Sequence, residues 1–71
     1  MIQGTISLTL NGKPHALAGE TSVAGLLETL GIDRRLVAVA HNGDVVTRAR
    51  YEETILHDGD QVEVVRMVGG G

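Results

Sequence analysis

Seventy-one residues with a 42% apolar fraction make one small domain, able to bury only about 60% of its unfolded surface, so a modest net stability is expected. A net charge of −3, from six Lys+Arg against nine Asp+Glu, argues against a nucleic-acid partner, and Tyr51 as the lone aromatic leaves no platform for stacking bases. The chain has no cysteine for a disulfide or thiolate metal site, no apolar run near membrane-spanning length and no signal-peptide pattern, so a cytoplasmic protein with no membrane partner is expected.

Thr5 to Leu10 alternates polar and apolar without a break, the period of a half-buried strand. Asn11-Gly12 then predicts a type I′ hairpin turn, with Lys13 to Leu17 returning antiparallel. Pro14 has no N–H to give a ladder, which places this second strand at a sheet edge or turns Pro14 outward. After the loop Ala18-Gly19-Glu20, Thr21 or Ser22 caps a helix whose apolar stripe is Val23, Leu26, Leu27 and Leu30. Gly25 inside that helix costs about 1 kcal/mol against Ala and marks close packing, most simply against a neighbouring backbone. Gly31 suits the left-handed position just past the helix, with Ile32 making the accompanying apolar contact.

Asp33-Arg34-Arg35 is a polar link. Leu36 to Ala40 is apolar throughout, a strand covered on one face with small residues on the other. Asn42-Gly43-Asp44 is a second tight turn, leading to a short strand at Val45-Val46. From Thr47 to Leu56 the pattern weakens to an irregular or 3₁₀ turn, with surface charges around Tyr51, then a short strand at Ile55-Leu56 returning to the core. His57-Asp58-Gly59-Asp60 is a turn by composition. It delivers the chain into a valine-rich strand that ends in Met67-Val68-Gly69-Gly70-Gly71.

A helix between two sets of strands must cover one face of a mixed sheet, with the first and last strands paired in parallel at its centre. The expected class is therefore α+β, a β-grasp or ubiquitin-like fold with four to five strands and one main helix. Residues 1–68 form the single domain and residues 69–71 a flexible tail, because a run of glycine loses the most entropy on ordering and has no side chain to pack.

A conventional active site is hard to build from these residues. No glycine-rich loop joins a strand to a helix, and neither Ser7 nor Ser22 stands in a nucleophile elbow. His15, His41 and His57 show no ligand spacing, so no metal site is expected. Asp58 and Asp60 flank a glycine as turn formers do. What remains is the carboxylate of Gly71. Once adenylated with ATP it would accept attack by a sulfur nucleophile, and glycine is the residue that threads into another protein's active site without collision. On the sheet face away from the helix, Ala38, Ala40, Val65 and Met67 form an apolar patch beside the tail, rimmed by Arg66, Glu63 and Arg48, that would dock a partner. The acids Glu52, Glu53, Asp58, Asp60 and Glu63 would steer a basic partner toward it, where they are more than a solvated face.

In this order the motifs resemble the sulfur carrier proteins of thiamine biosynthesis. The resemblance rests on Leu10-Asn11-Gly12, Thr21-Ser22-Val23 with Leu26-Leu27, Val37 to Gly43, Asp58-Gly59-Asp60 and the closing Met67 to Gly71, and covers essentially the whole chain. It implies that a ubiquitin-activating-like adenylyltransferase, using ATP and Mg, adenylates Gly71. A cysteine-derived persulfide then converts it to a thiocarboxylate, which gives its sulfur to thiazole synthase. The carrier is thus a protein co-substrate with no bound cofactor, and Gly69 and Gly70 belong to the stretch that enters partner sites. The small subunit of molybdopterin synthase shares fold, diglycine and chemistry, but the segment before its glycines is typically aromatic and proline-rich, unlike Val64-Val65-Arg66-Met67-Val68. Carriers for other sulfur pathways, and a β-grasp interaction domain with an inert tail, are the remaining alternatives.

Overall fold

Five strands assemble around the last one. In the computed structural model, which describes residues 4–67, β1 (Ile6–Leu10) and β2 (Lys13–Leu17) form the predicted hairpin, with Ile6 opposite Leu17 and Leu10 opposite Lys13. Strand β3 (Thr21–Ser22) leads into helix α1 (Val23–Leu30), followed by β4 (Val37–His41), β5 (Asp44–Val46), β6 (Ile55–Leu56) and β7 (Gln61–Arg66). The main sheet has the order β2-β1-β7-β4-β5, with β7 parallel to β1 and antiparallel to β4. Pro14 accordingly lies on an edge strand, where its missing N–H costs no ladder bond.

Both Asn-Gly turns are type I′ in character: Asn11 and Asn42 have φ of 51°, and the glycines after them 82° and 89°. Ser22 caps α1, its hydroxyl accepting the Gly25 N–H at 3.0 Å, so of the two candidates it is the serine that caps. The helix ends in a Schellman motif: Gly31 N–H donates to Glu28 C=O, and Ile32 N–H to Leu27 C=O at 2.9 Å, with Ile32 packed on the core as its position suggests. Gly25 is needed for space, but the group that would meet its Cβ is the Thr21 hydroxyl and not a neighbouring backbone.

Leu8, Leu17, Val23, Leu26, Leu27, Val37, Val39, Tyr51, Leu56 and Val62 form the core between helix and sheet. Three local details differ from the sequence expectation. Leu36 sits in a 3₁₀ turn (Arg34–Leu36) that Asp33 caps, and is 49% exposed, so β4 starts one residue later. Tyr51, expected among surface charges, is buried at 2% exposure. Thr21 and Ser22 pair antiparallel with Leu56 and Ile55 in a second, two-stranded sheet, and of that pair Leu56 enters the core while Ile55 stays 41% exposed.

Candidate functional site

The root of the glycine tail is β7, and the fold holds that strand from both sides. Asn11 N–H donates to Val62 C=O at 2.9 Å, and then its side chain takes over where β1 turns away. Val64 N–H donates to Asn11 Oδ1 at 2.8 Å and Asn11 Nδ2 to Val64 C=O at 3.2 Å, so the amide side chain stands in for the next residue of the ladder. On the other side Gln61 N–H donates to Asn42 Oδ1 at 2.8 Å, and Met67 N–H to Leu36 C=O at 2.8 Å. Each turn asparagine therefore does two jobs, and only the turn is visible in the dipeptide. Gly69, Gly70 and Gly71 lie outside the described residues.

Alternation along β4 and β7 sends Val37, Val39 and Val62 to the helix and leaves Ala38 and Val65 on the open face, in register with one another. Val65 is 59% and Met67 51% exposed, and Ala40 is half-buried. The residues predicted for a docking face are thus brought together. Val45, which sequence reading did not assign to it, joins them: the two-residue turn sets Ala40 opposite Val45, which is 79% exposed. That pairing was available from the turn length alone. Ala38, Val39, Ala40, Val45, Glu63 and Val65 line a shallow depression of about 190 Å³.

The five acids proposed to steer a partner divide. Glu52 and Glu53 pair with Arg34 and Arg50 at 3.3 and 3.2 Å. Asp58 accepts the Ser7 N–H at 2.7 Å, and only Glu63 borders the depression. Asp60 ties the start of β7 to the β4–β5 turn: its Oδ2 lies 2.7 Å from His41 Nε2 and accepts the His57 N–H at 2.9 Å, while Asn42 Nδ2 donates to Oδ1 at 3.3 Å. Burial alone would raise the Asp60 pKa. The hydrogen bonds from His41, the His57 amide and Asn42 outweigh it and hold the carboxyl below its ordinary value. Such a group adds stability above the unfolded carboxylate pKa of about 3.9 and loses it as pH falls through the folded value. Asp60→Asn is therefore expected to cost about 1–3 kcal/mol at neutral pH. Its melting temperature should fall less than the wild type's from about pH 5 downward, so the two curves converge in acid. Parallel curves in a pH series of thermal melts would show that Asp60 carries no linkage.

Among the described residues, no three His, Asp or Glu side chains are placed to hold a metal ion, and no helix is long and apolar enough to cross a membrane. A sheet with parallel first and last strands, one helix on one face and an open apolar patch on the other, beside a strand that continues in sequence to three glycines, defines a β-grasp protein of the ubiquitin-like class. Residues 8–71 match the model of the ThiS family. The chain is 35% identical over 65 residues to the sulfur carrier protein ThiS of Bacillus subtilis, covering 90% of this chain and 98% of that one. It is 42% identical over 66 residues to a thiazole synthase of Magnetococcus marinus, 93% of this chain but only 20% of that protein's length. The crystal structure of the thiamine biosynthesis protein ThiS from Geobacter metallireducens superposes with a TM-score of 0.82 at 38% identity, covering 93% of this chain and all of that one. This chain belongs to the ThiS family, the β-grasp sulfur carriers of thiamine biosynthesis.

Proposed function

We propose that this protein carries sulfur on the carboxylate of Gly71 for thiazole formation in thiamine biosynthesis, as a co-substrate of other enzymes and not as a catalyst. The observation that carries this reading is the family match across residues 8–71, which includes the three glycines. Similarity to a stretch of the Magnetococcus marinus thiazole synthase supports thiazole synthase as the acceptor. A carboxylate is a poor acyl donor. In the proposed cycle its oxygen attacks the α-phosphorus of ATP on an adenylyltransferase using Mg, and pyrophosphate leaves. A cysteine-derived persulfide then attacks the acyl carbon and AMP leaves, giving an acyl disulfide. A second thiol attacks the cysteine sulfur of that S–S bond, is oxidised with it to a disulfide, and the thiocarboxylate departs as the leaving group. Intact mass after incubation with ATP, Mg, the activating enzyme and a sulfur donor tests this. A gain matching one oxygen exchanged for one sulfur supports the reading, and an unchanged mass favours an inert tail.

The body's part is to dock. Val65 and Met67 stand on the open face just before the tail, so a partner that receives the tail meets them first. Val65→Asp or Met67→Asp puts a charge into that contact but alters no buried side chain. Affinity for the activating enzyme is expected to fall about tenfold or more, with little change in melting temperature. Normal binding by both variants in a titration would move the docking face elsewhere.

A further inference from the structure

Five of the six basic residues are Arg34, Arg35, Arg48, Arg50 and Arg66, with Lys13 alone on the β1–β2 hairpin. Three of the five are neutralised locally: Arg34 by Glu52 at 3.3 Å, Arg50 by Glu53 at 3.2 Å, and Arg35 by Asp33 at 2.9 Å. The Asp33–Arg35 pair is tight, since the side-chain hydrogen bonds of Arg35, and then its N–H, bring the Asp33 pKa down to about 2. Arg48 and Arg66 enter no ion pair among the described residues, in a chain with an excess of acids.

These two free cations share one end of the molecule. Arg66 is the last residue of β7 and lies opposite Val37, the first of β4. Strand β5 runs back along β4, with Val46 opposite Val39, and Arg48 follows two residues later toward the same end. The charge on Arg48 is felt there by Asp33. Asp44, Asp58 and Asp60 sit at the other end of β4 and β7, about 17 Å away along a six-residue strand. Apart from Lys13 on the hairpin, the Lys and Arg side chains without an ion pair among the described residues thus lie where the tail begins, with Asp44, Asp58 and Asp60 at the far end. The field of such a molecule turns its tail end toward an acidic surface and repels that surface elsewhere.

We propose that Arg48 and Arg66 form a cationic collar at the root of the tail, recognised by carboxylates on the rim of the activating enzyme's site. This rests on the carrier reading above. Arginine suits the task because its planar guanidinium offers paired donors to a carboxylate. The nucleotide's phosphates fit the collar less well. Arg66 precedes Gly71 by five residues, about 17 Å of drawn-out chain, so a tail threaded to its acid leaves the guanidinium far from the reacting phosphorus.

The experiment compares wild type, R48E/R66E and the control K13E for binding to the activating enzyme across a salt series, with intact-mass assay of wild type alongside. Wild type that neither binds nor gains sulfur refutes the carrier reading itself. With wild type active, R48E/R66E is expected to lose about tenfold or more in affinity at low salt, the gap narrowing as salt rises, while its melting temperature stays near wild type. K13E is expected to bind normally. Unchanged binding by R48E/R66E overturns the collar, as does an equal loss in K13E, which would mean that net charge alone matters. A raised KM for ATP with intact partner binding would assign the arginines to the nucleotide and also overturn it.

Discussion

A chain ending at Gly70 is expected to fold as the full chain does and to fail at adenylation. Every residue of the core lies between Leu8 and Val62, and the last strand is closed by the hydrogen bond from Met67 to Leu36, so removing position 71 leaves each described contact intact. The truncated chain still ends in a glycine carboxylate, so its intrinsic chemistry is unchanged. What changes is reach. In the proposed cycle a docked body would fix where the tail starts, and one residue fewer would withdraw the acid by about 3.5 Å. A misplacement of about 1 Å at a reacting centre can cost on the order of 100-fold, so the loss here should exceed that. The measurement is pyrophosphate release or adenylate formation with the activating enzyme, beside a thermal melt. Equal melts with no detectable adenylate are the expected pair. Normal adenylate formation would mean that the enzyme tolerates a sliding tail and that the body does not set the distance.

The body of the fold was legible because its elements repeat a burial pattern. Alternation in Ile6 to Leu10 and the i, i+3, i+4 stripe of Val23, Leu26 and Leu27 are burial patterns repeated over enough residues to stand out, and the structure buries those faces. The Asn-Gly dipeptides announced both turns. Strands β3 and β6 were not recognised as partners because two residues have no period, and their pairing joins positions more than thirty apart. The His41–Asp60 contact spans nineteen residues and is made by the fold bringing two turns together, so neither turn carries a sign of it. Asn11 was legible as a turn former and illegible as a ladder residue, since the peptide groups its amide pairs with belong to Val64, 53 positions on. Within the site, alternation assigned Ala38, Ala40, Val65 and Met67 to the open face, whereas the collar arginines could be told from the other three only once ion pairs were known.

Replacement of Tyr51 by alanine is expected to remove a large part of the stability. Charged neighbours on both sides, Arg50 and Glu52, suggest a surface residue, yet the ring is 2% exposed within the core cluster. Its backbone fixes it there: Tyr51 C=O accepts the Ala24 N–H at 2.9 Å, binding the segment to the first turn of α1, and its N–H donates to Arg48 C=O at 3.2 Å. The Arg34 guanidinium lies 5.9 Å from the ring centroid and roofs one side of it. With no Phe or Trp in the chain, the remaining core side chains are aliphatic and held by the fold, so they cannot fill the space left by the ring. Loss of a buried aromatic costs about 3–5 kcal/mol. A domain of this length has about 4–10 kcal/mol in all, so Tyr51→Ala should lose from about a third of it to the whole, and at the lower end of that range sits near its unfolding midpoint without denaturant. Tyr51→Phe keeps the ring and nearly its whole volume and is expected to lose less than about 1.5 kcal/mol. Urea melts of the pair decide the point, since a Tyr51→Ala variant within about 1 kcal/mol of wild type would place the ring outside the core. Carrier activity lost in Tyr51→Ala and kept in Tyr51→Phe would follow the folded fraction, because the open face and the anchored β7 exist only while the core behind them holds.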